Sequence, residues 1–323
     1  METMYLRLKW KKIETGAKLL RMEGTSGDVV VPEKIEGYPV VEIGDYCFSA
    51  KEPILEGEIR ETEIGKKEET HEISGAYLTR ISLPNTVERI GNCAFYNCTK
   101  LEEIIFGKKL GQAGSDAFMN CMKLQSLTVR SGVREKTGLK QILAQLSGKI
   151  VVTFSKNGIC EACVLYPEYF ETYDEISPAH IFGRNIEGEG FRARQCFEDG
   201  IIQFAQYDTI FQKACAEETA EIRIQLAVNR LRYPIDLKKE NRNLYEKYLT
   251  TNADEEAVYF LRKRDKEVLY FLCEHQYVSE QGVAELIQKA AEGDWAEGAA
   301  SLMQWKARFW KKEVKDRYSF DEF

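Results

Sequence analysis

The stretch LTRISLPNTVERIGNCAFYNCTK, Leu78 to Lys100, is followed directly by LEEIIFGKKLGQAGSDAFMNCMK, Leu101 to Lys123. Leu78, Leu101 and Leu124 lie 23 residues apart, as do Ile81, Ile104 and Leu127. Phe95 answers Phe118, and Cys98 answers Cys121. A period of this size marks stacked coils, because one coil of 23 residues cannot bury its own apolar side. Within a copy, Ile81 and Leu83 point one way and Ser82 the other, which is the period of a strand. Pro84 ends the strand, Val87 and Ile90 make a second inward pair, Gly91 suits a tight turn and Phe95 plugs the interior. Stacking such copies aligns their strands into a parallel sheet on one face.

An earlier copy runs VVVPEKIEGYPVVEIGDYCFSA, Val29 to Ala50. Its Gly44 and Phe48 precede Gly91 and Phe95 by 47 residues, two periods plus one. The intervening 51–77 carries eight acidic and four basic side chains. It is either a ragged extra repeat, which its spacing favours, or an extruded loop, and its charge favours solvent exposure. Downstream, Leu139, Ile142, Leu143 and Leu146 have the spacing of an amphipathic helix. This helix is expected to replace the irregular arm of one coil, with 150–154 as another sheet strand. Asn157-Gly158 is a hairpin signal, and the strand returning through Val164 would close the sheet edge. Leu6–Lys11 and Lys18–Met22 flank Thr15-Gly16 and predict an N-terminal capping hairpin.

Leu78, Ile81, Leu83, Pro84, Val87, Ile90, Gly91, Ala94, Phe95 and Cys98, with their partners one period on, resemble the BspA-like, or Treponema-type, leucine-rich repeat family of bacteria. The resemblance covers about residues 28 to 130. It implies a curved repeat domain used for protein or glycan contact. Members of that family are often exported.

From about Asp208 the apolar period shifts toward 3.6. Ile222, Leu226 and Ala227 share a face, as do Tyr245, Tyr248 and Leu249, then Val268, Leu269 and Leu272, then Val283, Leu286 and Ala290. Breaks are expected at Tyr233-Pro234, Asn252, Asp265, Ser279 and Gly293-Asp294. Short gaps force antiparallel neighbours, and the final pairs are loosely similar to ankyrin or HEAT-like helical repeats. The expected chain is α+β: a capping hairpin over 1–27, a leucine-rich repeat solenoid over 28–166 with its ragged insert at 51–77, a connector over 167–207, and an all-α helical repeat domain over 208–323.

The net charge of −7 argues against a protein that wraps nucleic acid. The N-terminus lacks the apolar run of a signal peptide, and no stretch is long and apolar enough to span a membrane. Nine cysteines, an odd number, then read as free thiols in a reducing cytoplasm. Cys98 and Cys121 read as small buried residues at a coil turn, and so do Cys47 and Cys93.

No catalytic grouping is legible, and no cofactor is expected. Cys160 and Cys163 form a CxxC that His180 and Cys196 would have to complete as a metal or redox site. In a regular strand, however, positions three apart face opposite ways. An enzymatic or metal site within 155–200 is therefore the rival reading. A second rival is membrane-surface or nucleic-acid binding by the basic, aromatic tail 305–320, against which Trp305 and Phe309 are spaced to pack as one helical face. The preferred function is a non-catalytic scaffold that binds a protein partner. Its candidate contacts on the sheet face are Val30, Thr79, Arg80, Ser82, Glu103, Ile105, Ser126 and Thr128, with Arg80 opposite Glu103 as a cross-strand pair.

Overall fold

The computed structural model describes residues 5–176 and 181–310. It opens with β1 (Leu6–Ile13) and β2 (Gly16–Gly24), an antiparallel hairpin. Leu8 and Trp10 are fully buried, as the alternation of LRLKWKKI requires. β3 (Asp28–Val30) starts the parallel sheet, and β4 (Lys34–Ile35) and β5 (Tyr38–Ile43) cross to a second sheet on another side of the coil. The hairpin caps this second sheet, because β2 pairs with β5 in parallel. Arg21 is buried beneath it and donates to the carbonyls of Tyr46, Cys47 and Ser49 at 2.9–3.2 Å, with Glu72 as its ionic partner. The guanidinium thereby satisfies turn carbonyls that have no preceding coil.

The insert is not a coil. β6 (Arg60–Ile64) pairs with β1 and β7 (His71–Glu72) pairs with β2, both antiparallel. β8 (Arg80–Ser82) pairs directly with β3, in the register Val29↔Ile81. Of the two readings open for 51–77, the pairings fit an excursion and not an extra coil: the segment leaves the solenoid, widens the capping sheet and returns. Trp10 Nε1 donates to Thr62 Oγ1 at 2.9 Å and holds the excursion down.

The coils then repeat. β9 (Arg89–Ile90) lies beside β5, β10 (Glu103–Gly107) beside β8, β11 (Gln112–Ala113) beside β9, and β12 (Ser126–Arg130) beside β10, all parallel. Phe48, Phe95 and Phe118 stack down the interior with centroids 5.2 and 5.4 Å apart. Gly91 answers a close approach rather than a turn: a Cβ there would lie 2.6 Å from the Asp45 nitrogen, and one at Gly114 would lie 2.6 Å from the Asn92 nitrogen. Cys93 is a second correction. With Tyr46 and Asp116 it occupies a left-handed position, φ 52–55°, and it is half-buried rather than core. Cys47, aligned with Ala94, is the buried one.

α1 (Leu139–Leu143) takes the place of a coil arm and buries Leu139, Ile142 and Leu143. Gln145, just beyond it, substitutes for a missing coil: its side chain accepts from Ala117 N–H at 2.9 Å and donates to the Gly114 carbonyl at 3.0 Å. β13 (Ile150–Lys156) extends the parallel sheet, and β14 (Ile159–Tyr166) returns antiparallel across Asn157-Gly158 to end it. The sheet order is β14-β13-β12-β10-β8-β3.

The connector is structured. β15 (Phe170–Ile176) and β16 (Ile181–Glu187) form a hairpin, followed by α2 (Gly190–Gln195), β17 (Phe197–Glu198), β18 (Ile201–Ile202), α3 (Phe204–Tyr207) and α4 (Phe211–Glu217). Arg194 is buried and donates to the carbonyls of Gly148, Pro167 and Gly190 at 2.5–2.9 Å, and Tyr207 donates to the Leu165 carbonyl. These bonds tie the connector to the end of the solenoid. The first compact unit accordingly runs to Glu218, past the change of period near Asp208, and the second begins at Thr219.

The second unit is helical: α5 (Ala220–Arg232), α6 (Lys239–Glu256), α7 (Val258–Arg262), α8 (Lys266–Glu274), α9 (Glu280–Glu292) and α10 (Ala296–Phe309). Thr219, Asp265 and Ser279 cap α5, α8 and α9 by accepting from backbone N–H groups. Asn252 does not break α6. Its side chain donates to the Tyr248 carbonyl at 2.8 Å, so the helix continues through it. Trp305 and Phe309 pack on Tyr270 of α8, with centroids 5.4 and 5.8 Å away. Residues 311–320 of the tail lie outside the described residues.

Candidate functional site

The parallel sheet turns one face to the core and the other outward. Ile81, Ile104, Leu127 and Val152 form the inward row and are fully buried. On either side of that row the register builds two outward ones. Asp28, Arg80, Glu103, Ser126 and Val151 make the first, and Val30, Ser82, Ile105, Thr128 and Thr153 the second. Seven of the eight candidate contacts therefore lie in two adjacent lines. Thr79 does not join them. It precedes β8, shares the parity of buried Ile81, and donates its N–H to the Gly27 carbonyl at 2.8 Å.

The first row pairs its charges, with two carboxylates on one guanidinium. Arg80 Nε lies 2.7 Å from Glu103 Oε2, and its Nη1 lies 3.6 Å from Asp28 Oδ2. Glu103 Oε1 also accepts from Thr128 Oγ1 at 2.9 Å. Exposed ion pairs of this kind are worth about 1 kcal/mol or less, so they fix the face more than they stabilise the fold. The second row is uncharged, and Val30 at its edge is 62% exposed. Sequence reasoning missed Arg130, which follows the last inward valine of β12 and donates to Ser82 Oγ at 2.9 Å. The period places it opposite Gly107, and that one-position departure from the preceding coil was its signal.

The CxxC falls at the far edge of the same sheet. Phe154 pairs with Ala162 and Ser155 with Cys160, which leaves Glu161 unpaired as a β-bulge. Thr153 pairs with Cys163. Thr153 and Ser155 share a face, so Cys160 and Cys163 share it too, and the expected opposition is corrected by the bulge. Cys160 is exposed and its Sγ reaches the Ala162 carbonyl at 3.7 Å. Cys196 is buried elsewhere, at the end of α2, with its Sγ 3.3 Å from the Arg192 carbonyl. His180 lies outside the described residues. Among the described residues, no three His, Cys, Asp or Glu side chains converge as a metal site. Nor is any described helix long and apolar enough to cross a membrane.

The thiols inside the solenoid are shielded. Burial pushes Cys47 and Cys121 up to about 12 and Cys98 higher still. Elsewhere on the surface, Lys108 and Lys156 hold the Glu135 carboxyl down at about 2.

Comparison with known proteins bears on the same stretch. Among curated proteins none matches. A leucine rich cell surface protein of Faecalibacterium prausnitzii A2-165 has 19% identity over 48% of this chain and 38% of its own, with a TM-score of 0.26. The leucine rich repeat protein of T. pallidum has 20% identity over 46% of this chain and 78% of its own, with a TM-score of 0.21. This chain thus spans less than two thirds of the first and more of the second. Residues 70–138 match the family model described as a BspA type leucine rich repeat region of six copies, and the stacked coils of that stretch are leucine-rich repeats of this type.

Proposed function

We propose that the chain is a non-catalytic interaction protein that binds a protein partner through the outward face of its parallel sheet. One observation carries this reading: the uncharged line Val30–Ser82–Ile105–Thr128 runs beside a line whose three ionic side chains, Asp28, Arg80 and Glu103, are paired with one another. A partner covering these two rows meets ionic side chains that are already paired, and desolvating unpaired charge is the main cost of burying a polar surface. The strands are rigid, so little ordering entropy opposes binding. The helical second unit offers a further surface, and two such surfaces in one chain suit a scaffold. We place the protein in the reducing cytoplasm, which its free cysteines favour.

The test is affinity capture from native lysate with the wild-type chain and a Ser82→Arg, Ile105→Arg, Thr128→Arg variant whose circular dichroism is unchanged. A protein retained by the wild type and lost with the variant supports the reading. Equal retention by both overturns it for the sheet face and moves the contact to another surface.

A further inference from the structure

At the C-terminal ends of β10, β12 and β13 lies a pocket of about 470 Å³, with Asn85, Lys108, Lys109, Arg130, Glu135 and Lys156 among its walls. The repeat builds it. Gly107 and Arg130 are register partners on adjacent strands. A Cβ at 107 would stand 2.6 Å from Asn85 Oδ1 and 2.8 Å from Asn85 Cα, so the absent side chain lets Asn85 close over the strand end. Asn85 Oδ1 then accepts from Arg130 Nε at 2.9 Å, Ser82 Oγ accepts from Nη1 at 2.9 Å, and the Leu83 carbonyl accepts from Nη2.

All three acceptors are neutral. Arg130 is half-buried, and no carboxylate among the described residues pairs with it. Burial alone moves its pKa, and downward, as expected for a cation taken from water without a counter-charge. A guanidinium has five N–H donors, so two remain after these three bonds. Around it, Lys108 and Lys156 share one carboxylate, that of Glu135, at 2.7 and 3.2 Å. Lys109 has no ion pair among the described residues. Glu161, just outside the lining, is tied to the Val133 N–H at 3.1 Å. Four cations thus face a single lining carboxylate, on a chain whose net charge is −7. Lys108 also borders a second pocket of about 580 Å³ that carries Lys136 and Lys140 beside Asp199.

We propose that this pocket is an oxyanion site that takes the phosphate group of a ligand, with Arg130 as its fixed anchor, Lys109 as a mobile one and Glu135 as an internal competitor. A tetrahedral dianion matches a wall of donors with surplus positive charge better than a carboxylate, which offers fewer acceptors and one charge. The neighbouring lysine-lined pocket leaves room for the rest of a phosphorylated ligand. The assignment goes beyond the sheet-face reading and does not depend on it.

The experiment is calorimetric titration of the full chain with inorganic phosphate at low and at physiological salt. Lys109→Met leaves every bond within the protein in place, so folding is not at stake, and it should weaken binding severalfold. Arg130→Met, checked by circular dichroism, should weaken it about tenfold or more. Glu135→Gln should tighten it, and Lys263→Met in the helical unit should change nothing. A phosphoserine peptide and a sugar phosphate titrated in parallel identify the source of the group: whichever binds tighter than inorganic phosphate, with the gain lost in Lys109→Met, carries it. If neither gains, the free anion is the ligand. The proposal is overturned if phosphate fails to bind, if acetate binds equally well, or if Lys263→Met weakens binding as much as the pocket variants do.

Discussion

Cys98 and Cys121 recur because each thiol donates to the phenylalanine carbonyl of the coil before it, Phe48 at 3.1 Å and Phe95 at 3.2 Å. The preceding asparagines recur for a related reason. Asn97 and Asn120 take left-handed backbone, φ 61° and 63°, and Asn120 Nδ2 donates to Asn97 Oδ1 at 2.7 Å. Since the thiolate is the reactive species, a thiol reagent at mildly alkaline pH should modify exposed Cys160 in the native protein and spare Cys47, Cys98 and Cys121 until the chain unfolds. Peptide mass mapping checks this, and labelling of Cys98 with circular dichroism intact would count against it. Glu135 gives a pH test. Its folded pKa of about 2 lies below the usual carboxyl value of about 4.3, so its ion pairs stabilise the fold above that value. That contribution fades as pH falls from about 4.3 towards 2. Glu135→Gln should therefore lower the urea midpoint at neutral pH and match wild type near pH 2. At this scale the spacing of the cysteines was legible in the sequence. Their hydrogen bonds were not, because they join residues in neighbouring coils whose register only stacking defines.

The coil is the element that the period of 23 residues revealed, and β8, β10 and β12 stand where the pattern put them. The insert left two readings open for a simple reason: its length mimics one period plus a few residues, while its strands serve the capping sheet. The bulge at Glu161 was illegible because an unpaired residue leaves no mark in the mostly apolar run ICEACVLY, yet it reverses which face Cys160 takes. Asn252 has a breaker's propensity but bonds back within its own helix, so the helix persists. The end of the solenoid gives a prediction. Gln145→Ala leaves the Ala117 N–H and the Gly114 carbonyl without their partner at the last turn. Urea denaturation should show a loss of about 1–3 kcal/mol. Gln141→Ala, which frees only the Ala113 N–H, should cost less, and an equal or smaller loss at Gln145 would contradict this account of how the stack is closed.

At the scale of the molecule the chain is two compact units divided after Glu218. Tyr207 and Phe211 belong to the first unit, where both are buried. A fragment ending at Glu218 should therefore unfold in one cooperative transition, whereas one ending at Tyr207 should melt at lower temperature because it lacks Phe211 and Ala214. Calorimetry of the two fragments checks this, and identical melting would return the boundary to the change of period near Asp208. The sheet-face interface is tested most directly by hydroxyl-radical footprinting of the chain alone and bound to the protein it captures. Val30 and Ile105 should lose reactivity on binding while exposed Met122 and Ile159 keep theirs. Protection of Met122 or Ile159 with Val30 and Ile105 still reactive would contradict it.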